Sequence, residues 1–179
     1  MTRYFIPWGD NWASMITSIP GIPQPAGIHF GATHMSGKFV VESSCKYDFT
    51  AIAACVNDTN KLVGFGYGLY PNAHHKWSIR IGWRCVANDK LILSLYAYVN
   101  GKRVIVNLGT GRTFKFDTEY DFTITNDTVN KKAIVTIGTY IASIDFNYNP
   151  SWGYVLKPYF GGDCTAPHDM YLKVDYNIQ

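Results

Sequence analysis

The stretch HHKWSIRIGWRCVANDKLILSLYAYVNGKRVIVNL, residues 74–108, decides the fold. Trp77, Ile79, Ile81, Trp83 and Cys85 alternate with Ser78, Arg80, Gly82 and Arg84, the period-two pattern of a half-buried strand. Leu91, Leu93, Leu95, Ala97 and Val99 repeat it, with Ile92, Ser94, Tyr96 and Tyr98 on the other side. Asn100-Gly101 follows, a strong hairpin signal because both central positions of a type I′ turn need positive φ. Val104, Val106 and Leu108 then alternate with Arg103, Ile105 and Asn107.

Parity sets the register. A two-residue turn at Asn100-Gly101 places Ala97 against Val104 and Leu95 against Val106, apolar against apolar. A two-residue turn at Asn88-Asp89 would put Trp83 against Ser94 and mix the faces, whereas a three-residue loop over 87–89 pairs Trp83 with Leu93 and Ile81 with Leu95. Slipping one residue would turn every side chain over, so the apolar-on-apolar register is the expectation.

The same register gathers the remaining side chains into cross-strand rows. Ser78, Tyr98 and Arg103 form one, Arg80, Tyr96 and Ile105 the next, and Gly82, Ser94 and Asn107 a third, with Arg84 beyond. Tyrosine rings stack on the apolar faces of sugars, and arginine forks hold carboxylate or sulfate bidentately. Arg80, Tyr96, Tyr98, Arg103, Ser78, Asn107 and Arg84 are therefore the candidate ligand-binding residues. The alternative is that this face packs under a second layer or a loop.

With 179 residues, 16% of them aromatic, the chain has apolar material for one substantial core. Thirteen Tyr and five Trp favour strands. The net charge of +3 is too mild to point to nucleic acid, and no apolar stretch long enough for a membrane helix occurs. MTRYFIPWGDNW has no signal-peptide pattern, which gives the expectation of a virion or cytoplasmic protein, secreted only if a leader has been removed. Cys45, Cys55, Cys85 and Cys164 form no C-x-x-C pair; free thiols are expected, with Cys45 and Cys55 able to meet across a hairpin.

Residues 1–35, rich in Pro, Gly and Trp, read as an extended arm lying on a sandwich formed by 36–179, with a helical turn or two over 11–19 and a possible docking role. Further strands are expected over 38–45, 50–56, 61–70, 113–125, 133–137, 140–146, 153–159 and 170–176. In KLVGFGYGLY, Gly64, Gly66 and Gly68 share one face and permit close approach of backbone or ligand. About eleven short strands with almost no helix describe an all-β, two-sheet antiparallel sandwich, and terminal strands needing distant partners favour a jelly roll.

HHKWSIRIGWR, LSLYAYVNGKR and KPYFGGDCTAPHDMYLKV together resemble the concanavalin-A-like lectin and glucanase jelly-roll domains of Bacteroidota and their phages, over roughly residues 60–176. That resemblance implies a lectin, glucanase, polysaccharide lyase or adhesive virion protein, since the fold hosts all of these.

Glycoside hydrolysis uses a pair of carboxylates about the scissile bond. The only glutamates, Glu42 and Glu119, are far apart, and the E-x-D-x-E strand pattern of the glucanases is absent. Uronate β-elimination needs a base, a neutraliser for the carboxylate and an acid for the leaving oxygen; Arg80, Tyr96, Tyr98 and Arg103 supply part of that set, with His74 or His75 beside them, although no lyase strand motif matches. Asp163, His168 and Asp169 offer calcium or transition-metal ligands, or else simply cap their loop. Trp152, Tyr154, Lys157 and Tyr159 add aromatic and cationic surface.

The expectation is a non-catalytic glycan- or partner-binding module of a virion or surface, without cofactor. The alternatives are a lyase of acidic glycans and a purely structural capsid or tail subunit. Its partner is a glycan or another virion or surface protein, with homo-oligomers possible and neither nucleic acid nor membrane involved.

Overall fold

In the computed structural model, residues 1–16, 27–52, 54–68, 73–86 and 89–179 are described. Thirteen strands occur among them: β1 Thr2–Ile6, β2 Ser14–Met15, β3 Ile28–Phe30, β4 His34–Val41, β5 Asn60–Tyr67, β6 Trp77–Val86, β7 Lys90–Val99, β8 Lys102–Asn107, β9 Glu119–Asp127, β10 Lys132–Ile137, β11 Tyr140–Asp145, β12 Trp152–Leu156 and β13 Met170–Ile178. They form two antiparallel sheets, one ordered β11-β10-β9-β4-β13-β1-β2 and the other β3-β12-β5-β6-β7-β8. β4 lies between β9 and β13, strands distant from it in sequence. This is the jelly-roll β-sandwich that the strand pattern predicts.

The register of the central meander agrees pair by pair. Trp83 faces Leu93 and Ile81 faces Leu95 across β6 and β7, while Ala97 faces Val104 and Leu95 faces Val106 across β7 and β8. Asn100 and Gly101 take φ of 49° and 83°, as the turn requires. Val86 pairs with Lys90, leaving three residues in the other connection, of which 87 and 88 lie outside the described residues.

Period-two alternation then builds the core. Ile79, Ile81, Trp83, Leu93 and Leu95 are buried from one sheet, and Met35, Phe39, Phe122, Ile124, Val135 and Leu172 from the other. The outer face of the seven-stranded sheet is ion-paired: Lys38 meets Glu119 at 2.6 Å and Asp121 at 3.8 Å, and Glu42 takes Arg3 at 2.6 Å and Lys173 at 3.8 Å.

Three expectations are corrected. The described strands within residues 1–35 do not rest on the sandwich as an arm but belong to its sheets: β1 pairs with β13 and β2 within one sheet, and β3 pairs with β12 at the edge of the other, while 17–26 lie outside the described residues. Tyr4 and Ile6 alternate with Arg3 and Phe5 and are buried, so TRYFI is itself an amphipathic strand. Over 11–16, Trp12 bridges Tyr159 and Ser14–Met15 is a strand, in place of the expected helical turns; 17–19 lie outside the described residues. The strand expected over 50–56 is replaced by turns among its described residues, 53 lying outside them. The Asp48 carboxylate accepts from the Thr50 N–H and hydroxyl at 2.9 and 2.6 Å, and the Cys55 N–H then donates to the Ile52 carbonyl at 2.9 Å.

The cysteines require a fourth correction. Cys55 and Cys164 are joined by a disulfide across 109 residues, while Cys45 and Cys85 are buried free thiols. The fold brings the joined pair together, a proximity that their spacing does not announce.

Candidate functional site on the six-stranded sheet

β5 and β6 pair through a bulge. Lys61 opposes Gly82 and Gly64 opposes Arg80, so three residues of β5 span two of β6. The bulge carries Lys61 across to the outer face. Gly64 then lies so close to β6 that a methyl group there would collide with the Ile79 carbonyl, and at Gly66 it would meet the Tyr154 ring at 2.9 Å. These glycines form a low floor, with Arg80, Tyr96, Tyr98 and Arg103 on one side and Tyr154 on the other.

The seven expected ligand residues do share this face, but not equally. Arg103 and Asn107 are exposed, and Tyr98 and Arg84 are partly so. Arg80, Tyr96 and Ser78 are 7%, 3% and 1% exposed, so the expectation of an open Arg80 is corrected: it is floor, not wall. Its Nη2 donates to the Lys157 carbonyl at 2.6 Å, and its Nε is buried without a partner among the described residues. Burial lowers the Arg80 pKa to about 10, against the pull of Tyr96, Tyr154 and Tyr159. Burial likewise pushes the Tyr96 phenol up, helped by its hydrogen bond to Tyr98.

Lys61 is the residue that sequence reasoning missed. It is 7% exposed, with Nζ 5.1 Å from the Tyr96 ring centroid and 5.5 Å from that of Tyr159. Nζ donates to the Gly161 carbonyl. Burial, and then the charge of Arg80, lowers its pKa to about 8; Arg103 pushes the same way, while Asp58 and Asp163 oppose.

A loop at 157–164 walls this end. The Gly162, Asp163 and Cys164 N–H groups all point at Asp58 Oδ2, at 2.6, 3.0 and 3.4 Å, and Gly161 N–H donates to Asn60 Oδ1 at 2.6 Å. The disulfide fixes the same loop to Cys55. Asp58→Asn removes the charge from a threefold acceptor and should lower stability by about 1–3 kcal/mol, read as a shift of the urea midpoint at constant slope.

The metal ligands considered in this segment separate. Asp163 is exposed, Asp169 accepts from the Trp8 N–H at 2.9 Å, and His168 Nε2 lies 2.9 Å from the Ser44 carbonyl. Among the described residues no cluster of three metal-ligating side chains occurs. At the other end of the floor, His74 Nδ1 lies 2.8 Å from Tyr154 Oη, and the His75 ring is 5.4 Å from that of Tyr98. Trp12, 64% exposed, sets its ring edge-on to Tyr159 at 5.0 Å and continues the aromatic wall.

No family model matches the chain, and no curated protein matches it. Solved structures do. The alginate lyase Aly36B superposes with a TM-score of 0.60 at 12% identity, over 98% of this chain and 78% of that one. The alginate lyase AlyC3 follows at a TM-score of 0.49, 12% identity, 99% of this chain and 89% of that one. Chicken galectin 2 gives 0.45 at 8% identity, over 84% of this chain and 100% of that one. The shared fold is a two-sheet antiparallel jelly roll. At such identities the likeness establishes that and no more.

What sets this face apart is buried charge. Lys61, Arg80, Arg84 and Arg103 form no ion pair among the described residues, as is also true of Lys46, Lys76 and other cations elsewhere, but among the described residues Lys61 and Arg80 are the Lys and Arg that are buried. Neither has an ion-pair partner within the described residues, although Asp58 and Asp163 partly offset Lys61, and a buried charge is costly.

Proposed function

We propose that the outer face of the six-stranded sheet binds an acidic polysaccharide, its carboxylate or sulfate groups supplying the anions that these cations lack. The observation supporting this is the set of Lys61, Arg80 and Arg103 without ion-pair partners, set among Tyr96, Tyr98 and Tyr159. The rings offer stacking surface for sugar faces and the guanidinium groups bidentate donors. Arg103 is exposed and free to reach a ligand. Arg103→Ala should weaken binding of an acidic glycan by about 1.5–3 kcal/mol, roughly tenfold to a hundredfold in Kd, by titration calorimetry. An unchanged Kd would remove this face from the proposal.

Lys61 favours a second reading, β-elimination on the same polymer. A lysine with a pKa of about 8 is a competent general base near neutrality. Neutral Lys61 would take the proton α to the uronate carboxylate, whose charge Arg103 would hold. The electron pair left behind forms the ring double bond, the bond to the leaving glycosidic oxygen breaks, and a phenol such as Tyr159 protonates that oxygen. Incubation with alginate, polygalacturonate, hyaluronate or heparin separates the two. Growth of ultraviolet absorbance from unsaturated uronate means catalysis, and binding without it means a lectin-like module.

A further inference from the structure

A cleft of about 210 Å³ opens beyond the row of Ser94 and Asn107, on the same outer face. Arg84 enters it, partly buried, and makes no ion pair or hydrogen bond among the described residues. Asn57 and Asn107 contribute carboxamides and Thr59 and Ser94 hydroxyls, while Ile92 and the exposed Ile105 give an apolar side. The lining holds no carboxylate, so nothing there favours a metal cation, and no aromatic ring that would stack a nucleobase.

That mixture matches one acidic sugar: an anion for the guanidinium, ring hydroxyls for the amides and hydroxyls, and a C–H face for the isoleucines. The cleft and the groove share the outer face, with Gly82 between Arg80 and Arg84; Ser94 and Thr59 close over Gly82, where a methyl group would come within 2.5 Å of Ser94 Oγ and 2.8 Å of Thr59 Cγ2. Four residues of strand separate Arg80 from Arg84, about 13 Å, so a ligand reaching both is an oligomer.

We propose that this cleft is a distal subsite that holds one acidic residue of a longer glycan chain through Arg84. The proposal rests on the acidic-glycan reading of the groove. Its test is calorimetric titration with size-defined alginate and polygalacturonate oligosaccharides, at one pH and ionic strength, beside neutral cello-oligosaccharides of matching length. The wild-type protein should bind longer acidic oligomers at least tenfold more tightly than the shortest that binds. Arg84→Ala, and independently Ile105→Trp, which fills the cleft, should abolish that gain and leave the shortest oligomer's Kd unchanged. Arg103→Ala should weaken every length.

Four results would overturn the subsite. The length gain could survive both cleft variants, or Arg84→Ala could weaken all lengths equally, which would place Arg84 in the central site. Alternatively, neutral oligomers could show the same gain, or acidic oligomers could bind without any. If the wild-type protein binds no acidic oligomer at all, the groove reading itself falls and the subsite with it.

Discussion

Removing the Cys55–Cys164 disulfide by paired serine substitution will lower stability by about 2–5 kcal/mol, the upper end following from the chain entropy of so long a closed loop. The bond spans 109 residues. For a chain of this size the loss corresponds to roughly 5–15 °C in Tm, and a strong reductant should reproduce it in the wild-type protein. The effect reaches the groove. Cys164 anchors the loop whose Gly161 carbonyl accepts from Lys61, so the reduced protein should also bind acidic glycan more weakly under conditions where it remains folded. Scanning calorimetry of oxidised, reduced and serine forms measures the first effect; equal Tm values for all three would show that the bond contributes nothing.

Lys61→Met has the larger functional consequence. Replacing a buried ammonium with an apolar chain of similar length relieves a desolvation cost, so the fold should survive and any lost function is local. If the groove only binds, the variant should lose about 1.5–3 kcal/mol of affinity for acidic glycan. If it catalyses elimination, turnover should fall roughly a hundredfold to ten-thousandfold, the usual contribution of a positioned base. The pH profiles run in opposite directions. Lys61 is charged below its pKa of about 8 and neutral above it. Affinity for an anion should therefore fall as pH rises through that value, while a rate that depends on the neutral amine should rise. Both slopes should be absent in Lys61→Met. A wild-type profile flat through this range in both affinity and rate would show that Lys61 takes no part.

The meander was legible because its two faces differ so sharply. Trp83, Leu93, Leu95 and Val106 admit only one phase, and that phase assembles Arg80, Tyr96, Tyr98 and Arg103 without further information. Depth was not legible. Strand parity says which side Arg80 occupies, but Tyr96, Tyr154, Tyr159 and the Lys157 carbonyl seal it, and three of those come from the distant segment 154–159. Lys61 escaped for a different reason. It shares parity with Val63 and Phe65, both buried in the core, and only the bulge before Gly64 turns it outward. A bulge leaves no dependable mark in one sequence, although glycines at 64 and 66 beside a lysine were a hint of unusual backbone. The disulfide was hidden likewise, since loop 161–164 reaches Cys55 only once β5 and the segment around Tyr159 are side by side. TRYFI alternates as a strand does, and only the Pro and Gly that follow it suggest an arm.

Cations without ion-pair partners on the six-stranded sheet are proposed to select an acidic chain. Calorimetric titration of the wild-type protein and Arg103→Ala with polygalacturonate, and with a neutral polymer of matched length, tests it most directly. Salt-sensitive binding of the acidic polymer is expected, with binding at least tenfold weaker in the variant and little affinity for the neutral polymer. Equal affinity for both polymers, or an Arg103→Ala variant that binds like the wild type, would contradict it.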